Sequence, residues 1–323
     1  MVSGSTGIAV IIIGDGLIGL STALELARAG AQVTVVGTTY EGAATPAAAG
    51  LLIPSLGDLP DDVAPFFLDS LARYPAFVQS LREFDPTLAI IEGVVEHTAH
   101  TDVLHERDGA IDNIRLLAAV RAALKAMPNV EMVRAEVRAI ALDQIAPAVV
   151  ATGFRRQAHR VVIAAGAWAP LIQGLPRPLM VRPLKGQMIA LDRCTISRSI
   201  VGEEVYLVPR GSETLVGATV EEAGFDLTLT PPALETLRRD AIRLCPDLGG
   251  ASISRSWAGL RPATPDKLPI LGSDPEWPNL IYACGHSKNG ILLAPATAAA
   301  ISAVCLGEAE TPQIQPFSIA RFW

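Results

Sequence analysis

Three glycines near the amino end of the chain have a spacing that can bind a phosphate. The segment Gly14-Asp15-Gly16-Leu17-Ile18-Gly19 matches G-x-G-x-x-G, directly after the apolar run 8–13 and before a stretch with helical spacing. In that context the first glycine permits a tight turn, the second lets the backbone approach a pyrophosphate, and the third lets helix and strand pack closely. The helix N-terminus also favours the phosphate charge. The pattern predicts a dinucleotide-binding site.

The end of the next predicted strand lacks the acidic residue that usually accompanies this pattern. An Asp or Glu about 20 residues after the glycines normally binds the ribose hydroxyls, whereas this chain has Gly37, followed by Thr38 and Thr39. No arginine stands there to favour a 2′-phosphate. We expect the threonine hydroxyls or Glu41 to substitute, with weaker anchoring of the adenosine.

A second group of residues suits a carboxylate ligand. Arg261 follows an apolar run and precedes Pro262, which is an unusual setting for a surface arginine. A guanidinium binds a carboxylate through two parallel hydrogen bonds. The glycine-bearing turn 285–292, which contains His286, precedes an apolar helix and can direct amide groups at developing negative charge. The histidines and the four separated cysteines have no metal-ligand or CxxC spacing, so neither a metal site nor a disulfide framework is predicted.

An α/β fold must position these residues. A strand at 8–13, a helix at 17–29 and a strand at 32–36 form a β-α-β unit, which predicts a parallel sheet that strands at 160–166 and 280–285 and a helix at 294–305 continue. Short strands at 188–191, 205–208 and 214–220 predict a second, mostly antiparallel sheet. Helices are predicted at 65–84, where Pro75 should kink or divide the helix, and at 111–127, and a strand at 130–140. Residues 42–57 carry no charge, and we expect packed backbone there.

Composition excludes several classes of protein. At 323 residues the chain has room for about two domains, and with 50% hydrophobic and 18% charged residues it is not disordered. The net charge is −7 and the cations are scattered, which argues against nucleic acid or an anionic membrane as partner. The apolar runs are too short or interrupted to span a bilayer. No Lys or Arg precedes Arg28, so a secretory signal is not expected and the predicted location is the cytoplasm.

Six segments together resemble the glycine oxidases of the thiamine-pathway type, within the D-amino-acid oxidase and sarcosine oxidase superfamily of flavoenzymes. The resemblance extends over nearly the whole chain. The segments are the glycine pattern, Ala47-Ala48-Ala49-Gly50-Leu51-Leu52, Lys185-Gly186-Gln187, Tyr206-Leu207-Val208-Pro209-Arg210, Trp257-Ala258-Gly259-Leu260-Arg261-Pro262, and Gly285-His286-Ser287-Lys288-Asn289-Gly290-Ile291-Leu292-Leu293.

The resemblance implies a Rossmann-like FAD-binding domain (1–85, 108–172 and 255–323) and a mostly antiparallel β-sheet substrate domain (86–107 and 173–254). The FAD is expected to be noncovalent, because no cysteine matches the position that covalently flavinylated relatives use. The resemblance puts His286 at the flavin edge as a structural contact, and an acid–base role is the alternative. The predicted cofactor-binding residues are Gly14, Gly16, Gly19, Thr38, Thr45, Ala48, Ala49, Gly50, Leu51, Val137, Gly166, His286, Asn289, Gly290, Ile291 and Leu292.

The resemblance also implies a substrate site. Tyr206 and Arg261 are expected to bind the substrate carboxylate, and Lys288 stands where the family commonly has arginine. Glu204 stands where some members have a different polar residue. These two departures make an N-substituted glycine an alternative to glycine itself.

The predicted reaction passes hydride from the α-carbon of the amine to the flavin. Hydrolysis of the imine then gives glyoxylate, and reoxidation by O2 gives hydrogen peroxide. Two alternatives are a dehydrogenase of the same fold that uses another electron acceptor, and a flavin-binding protein with a degraded site. A homo-oligomer is possible, because the family often forms tetramers.

Overall fold

The computed structural model describes residues 7–54, 59–143 and 145–323. The strands are β1 Ala9–Ile13, β2 Gln32–Gly37, β3 Leu51–Leu52, β4 Ile90–His97, β5 Asp102–Ile111, β6 Val130–Arg134, β7 Val137–Ala141, β8 Ala148–Ala151, β9 Phe154–Gln157, β10 Arg160–Ile163, β11 Arg182–Leu191, β12 Ser199–Val201, β13 Tyr206–Arg210, β14 Glu213–Gly217, β15 Ile253–Ala263, β16 Ile270–Ser273 and β17 Leu280–Cys284. The α-helices are α1 Leu17–Arg28, α2 Ala44–Ala47, α3 Ala64–Leu81, α4 Asn113–Lys125, α5 Pro231–Leu244 and α6 Gly290–Cys305.

The predicted parallel sheet has six strands in the order β16-β17-β10-β1-β2-β6, and only β16 is antiparallel to its neighbour. Side chains of β1 alternate between two cores. Val10 and Ile12 pack with residues of α1, α3, α4 and α6 on one face, and Ile11 and Ile13 pack with the small sheet β7-β8-β9 on the other. A strand buried on both faces explains the continuous β-branched run.

Helix α6 is apolar on nearly every side. By length and composition the stretch Ser287–Cys305 could cross a membrane, but 67% of it is buried inside the fold. Pro295 lies within α6 and cannot donate to the Ile291 carbonyl. Two hydroxyls of α3 bind this first turn instead: Tyr74 donates to the Ile291 carbonyl, and Ser70 donates to the Leu292 carbonyl at 2.7 Å. Helix α6 packs against α1 and α3, and this burial accounts for the apolar composition of α6.

The second sheet has eight strands in the order β15-β11-β14-β13-β12-β4-β5-β3. Its pairings are antiparallel except that between β12 and β4. The predicted fold class, a parallel α/β sheet with a second, mostly antiparallel sheet, is therefore confirmed. Helix α5, which the sequence analysis did not predict, packs Leu237 and Ala241 onto this sheet.

The structure differs from three details of the predicted fold. Pro75 does not divide helix α3, which is one helix from Ala64 to Leu81. The predicted strand 130–140 is two strands, because β6 joins the parallel sheet beside β2 whereas β7 joins the small sheet beside β8. Strand β15 pairs with β11 and strand β3 pairs with the end of β5, so residues 255–263, 51–52 and 108–111, assigned above to the FAD domain, lie in the eight-stranded sheet. The remaining domain limits stay a prediction.

Residues 42–50, here called the inter-sheet segment, pack against the eight-stranded sheet. Residues 55–57 of the predicted uncharged stretch lie outside the described part of the chain. The Trp257 indole donates to the Ala47 carbonyl at 3.0 Å, and a Cβ on Gly259 would come within 2.3 Å of the Ala47 Cβ. Gly50 has φ +84°, and a Cβ there would lie 1.9 Å from the Ile111 carbonyl oxygen. The backbone of the inter-sheet segment thus lies in direct contact with β15 and with Ile111.

Arg210 at the end of β13 joins the inter-sheet segment to α4. Its guanidinium donates to the Ala49 carbonyl at 2.9 Å and to the Ile111 carbonyl at 3.4 Å. It also donates to the Asn113 side chain at 3.3 Å and pairs with Asp112 at 3.1 Å, while only 17% of the arginine side chain is exposed. One mostly buried cation therefore satisfies acceptors on two separate parts of the chain, Ala49 and residues 111–113.

Replacing Arg210 should test this connection. We expect Arg210→Met to lower the free energy of unfolding by about 2–4 kcal/mol, because it leaves buried acceptors without a donor. Urea unfolding followed by circular dichroism measures the change. The control is Arg243→Met. The Arg243 side chain is 72% exposed and lies 3.9 Å from Asp240, a weak ion pair, so this change should alter stability by less than about 0.5 kcal/mol. Equal effects of the two variants would contradict the role of Arg210.

Candidate active site

A cavity of about 930 Å³ opens where the parallel strands β1, β10 and β17 end, beside the eight-stranded sheet. This volume is at the upper end of the range for ligand pockets. All the predicted cofactor-binding residues except Gly19 line it, as do Tyr206, Arg261 and Lys288. The structure therefore brings residues from distant parts of the sequence to one site.

The glycine turn has the geometry that a pyrophosphate requires. Gly14 has φ +121°, and a Cβ there would lie 2.3 Å from the Ala164 carbonyl oxygen. A Cβ on Gly19 would lie 2.1 Å from the Gly14 carbonyl oxygen, so this glycine permits helix–strand packing from behind the cavity. Gly16 precedes α1 and lines the cavity. These positions fit the diphosphate of a dinucleotide at the N-terminus of α1.

Thr45 has a role that the sequence did not indicate. Its hydroxyl accepts from the Leu17 amide at 3.2 Å, in the first turn of α1. The residue before this helix is Gly16, which has no side chain that could cap it. The inter-sheet segment therefore supplies the missing acceptor and fixes its own position relative to the glycine turn.

Small residues form the part of the cavity that the sequence assigned to the flavin ring. Ala48, Ala49 and Gly50 line one side, and the turn from Gly285 to Leu292 lines another. Gly285 has φ +73°, and a Cβ there would meet Thr264 at 2.7 Å. Gly285 is thus required by packing against Thr264, whereas the small residues Ala48, Ala49 and Gly50 leave the backbone accessible from the cavity, which fits an isoalloxazine.

His286 is buried at this end of the cavity, with a side chain that is 2% exposed. Its Nε2 atom lies 3.0 Å from the Thr297 hydroxyl oxygen. Burial lowers the pKa of His286 to about 3, so the ring is neutral near pH 7. This geometry favours the structural contact over the acid–base role.

Arg261 occupies space that a neighbouring glycine leaves free. Its guanidinium donates to the Thr219 carbonyl at 3.1 Å and to the Lys185 carbonyl at 3.3 Å. A Cβ on Gly186, on the paired strand β11, would lie 2.5 Å from both terminal nitrogens of Arg261. Among the residues that the structure describes, no carboxylate pairs with this cation. The cavity therefore contains a guanidinium that is available to an anionic ligand.

Tyr206 lies next to Arg261 in a similar arrangement. A Cβ on Gly217, opposite Tyr206 on β14, would lie 2.3 Å from the phenol oxygen, so this glycine leaves room for the ring. The hydroxyl lies 3.8 Å from the Met188 sulfur. Burial raises the pKa of Tyr206, an effect that the nearby Arg261 opposes. The phenol remains a hydrogen-bond donor near pH 7.

The functions of Gly186 and Gly217 are not evident from the sequence. Gly186 lies within the quoted Lys185-Gly186-Gln187 segment, but its function depends on a side chain 75 positions away. Lys288 and Glu204, the two departures from the family pattern, are exposed residues that line the cavity. Lys288 has no ion pair within the described ranges.

Cysteine and metal chemistry receive no support from the described residues. They contain no group of three or more possible metal ligands, and all four cysteines are free. Cys284 lines the cavity but is 2% exposed, and burial raises the pKa of its thiol to about 12. A thiol in this environment is a poor nucleophile.

The fold and the cavity define an oxidoreductase that binds a flavin dinucleotide. The chain belongs to the FAD dependent oxidoreductase family, whose sequence profile matches residues 9–89 and 80–304. The resemblance inferred from the six segments and the FAD cofactor are thereby confirmed.

Individual relatives agree with this assignment. The chain is 36% identical to the bifunctional protein ThiO/ThiG of Synechocystis sp., over 97% of this chain and 54% of that protein, so it spans about half the length of that relative. It is 32% identical to a glycine oxidase of Pseudomonas aeruginosa, over 89% and 92% of the two chains. The crystal structure of glycine oxidase from Geobacillus kaustophilus superposes with a TM-score of 0.89 at 28% identity, covering 97% of this chain and 99% of that one.

Protonation of His286 should make the protein less stable in acid. The folded protein resists this protonation, whereas the unfolded chain takes up the proton below about pH 6.5. We therefore expect the free energy of unfolding to fall as the pH decreases from about 6.5 towards 3. His286→Gln should reduce this slope by up to about 1.4 kcal/mol per pH unit, measured by urea unfolding across that range. The exposed His100→Gln should leave the slope unchanged, and equal slopes for wild type and His286→Gln would contradict the buried neutral ring.

Proposed function

We propose that the protein is an FAD-dependent oxidase of glycine or an N-substituted glycine. The observation that carries this proposal is Arg261, a guanidinium in the flavin cavity without a carboxylate partner among the described residues. A bidentate arginine holds a carboxylate in one orientation. The α-carbon of an amino acid lies next to that carboxylate, so this contact directs it at the ring site.

Two residues of the cavity orient the substrate. Arg261 binds the carboxylate and Tyr206, on β13 of the same sheet, donates a hydrogen bond to it. FAD supplies a hydride acceptor and, through O2, a route for the electrons. Burial lowers the pKa of His286 to about 3, and its ring lies 3.0 Å from the Thr297 hydroxyl, so this neutral ring is too weak a base to take a proton from the substrate amine. A neutral amine needs no dedicated base, and glyoxylate, ammonia or an amine, and hydrogen peroxide are the proposed products.

The relatives support the proposed substrate class. The Pseudomonas aeruginosa and Geobacillus kaustophilus proteins are glycine oxidases by name, and each is matched over at least nine-tenths of its length. Lys288 adds a second cation to the cavity wall and Glu204 an anion. A substrate arm that is polar or carries a charge would contact these two residues, so N-substituted glycines belong in the proposal beside glycine.

Three further properties are part of the proposal. The FAD is noncovalent, which the burial of Cys284 and the absence of a matching family cysteine support. The cytoplasmic location has the support of four free thiols, which are typical of a reducing compartment. A homo-oligomer is kept as a prediction from the family resemblance.

The anaerobic reaction of the bound flavin tests the function directly. Purified holoprotein is mixed with glycine, sarcosine and a longer N-alkylglycine in turn, and the visible flavin absorbance is followed. Bleaching by one of them is expected, and the rates rank the three substrates. Persistent colour with all three would contradict the proposal and favour the degraded-site alternative. After bleaching, peroxide formed on admitting air separates an oxidase from a dehydrogenase.

Removing Arg261 should weaken substrate binding without loss of FAD. We expect Arg261→Ala to raise KM by about 30- to 1000-fold, since charge-assisted hydrogen bonds to the carboxylate are lost. Gly186→Ala should act in the same direction by displacing the guanidinium. The control is Arg73→Ala on α3, which removes a largely exposed ion pair with Asp69 outside the cavity. Steady-state kinetics and flavin content are measured, and an unchanged KM for Arg261→Ala would contradict the carboxylate assignment.

A further inference from the structure

The acidic residue that is missing from the end of β2 has a neighbour that can replace it. Gly37 stands 21 residues after Gly16, where an Asp or Glu normally binds the adenosine ribose. A Cβ on Gly37 would lie 2.9 Å from the Asp15 amide nitrogen and 3.2 Å from one Asp15 carboxylate oxygen, Oδ1. The Asp15 side chain therefore fills the space beside Gly37 that a larger residue would need.

The other carboxylate oxygen of Asp15 is held in place from two sides. Oδ2 accepts from the Thr39 hydroxyl at 3.2 Å and from the Arg121 guanidinium at 3.1 Å. Arg121, on α4, also donates to the Asp15 backbone carbonyl at 3.1 Å, which fixes the glycine turn itself. The Asp15 side chain is 17% exposed, and it lines the cavity together with Gly37 and Arg121.

The residues that the sequence suggested as substitutes are less suitable. The Thr39 hydroxyl already donates its proton to Asp15. Glu41 is exposed and does not line the cavity. Thr38 lines the cavity, but a hydroxyl lacks the charge that makes a carboxylate a strong acceptor for a ribose hydroxyl. Oδ1 of Asp15, which faces Gly37, has no hydrogen-bond donor from the described side chains.

We infer that Asp15, held by Arg121 and Thr39, accepts the hydrogen bond from the adenosine ribose of FAD, and that Gly37 is the residue which makes room for it. The acceptor thus comes from the turn after β1 instead of the end of β2. The inference concerns the cofactor of the family and is independent of the proposed substrate.

Release of FAD from the holoprotein tests this inference. Serial dilution, read by the fluorescence of released FAD, gives the dissociation constant Kd. We expect Asp15→Ala to raise Kd by about 10- to 100-fold, because a charge-assisted hydrogen bond is lost. The matched control is Asp85→Ala: that side chain is 16% exposed and binds Arg115 of α4 and Thr87, but lies outside the cavity. A Kd for Asp15→Ala equal to that of Asp85→Ala would overturn the inference.

A relocation variant separates ribose binding from a loss of local structure. Gly37→Glu alone should weaken FAD binding, because its side chain meets Asp15. The double variant Asp15→Gly/Gly37→Glu, which returns the acid to β2, should bind FAD more tightly than either of its component changes. If the losses of FAD affinity from the two single changes simply add in the double variant, the assignment is overturned. It is also overturned if Thr38→Val weakens FAD binding and Asp15→Ala does not.

An FAD analogue tests the unmodified protein. Wild-type holoprotein is incubated with FAD that lacks the adenosine 2′-hydroxyl, and displacement of bound FAD is measured. The analogue should compete at least 10-fold less well than FAD itself. Asp15→Ala should discriminate less between the two. Equal competition in the wild type would show that no acceptor holds this hydroxyl, and this result requires no variant to fold.

Discussion

The inter-sheet segment, residues 42–50, is the constraint on which the rest of the site depends. Its backbone lies against β15 through Gly259 and Trp257, against the start of α4 through Gly50, and against the first turn of α1 through Thr45. Every one of these contacts requires a small residue or a backbone group, since a larger side chain would separate the two sheets. The two ends of the cavity, one at the glycine turn and one at Arg261, are therefore held in a single fixed relation.

The electrostatics of the site differ from those of the whole chain. The protein has a net charge of −7, yet the part of the cavity around Arg261 presents Lys288 as a second cation beside the anion Glu204 and keeps His286 neutral by burial. A local cation in a protein of opposite overall charge attracts an anion only at short range, because solvent screens the more distant charges. The proposed recognition of a carboxylate thus depends on the cavity wall and not on the field of the whole molecule.

The parts of this structure that the sequence predicts correctly are those set by local pattern. The β-branched run of β1 and the glycine turn after it are readable because the residues that interact are close in sequence. The division of 130–140 between two sheets was not predictable, since β6 and β7 find partners far away in the chain. Gly186 and Gly217 are similar cases, because the side chains that fill their space come from other strands. Helix α5 begins with two prolines and has amphipathic spacing, a local signal that could have been found.

The proline within α6 links the flavin end of the cavity to a helix outside it. Because Pro295 leaves the Ile291 carbonyl without its usual donor, the first turn of α6 is bound to Tyr74 and Ser70 of α3. Fraying of a helix terminus normally breaks only the bonds of that helix. Here opening of the turn must also break the two hydrogen bonds from α3, so the local stability of this end of the site depends on a pair of helices and not on a single one.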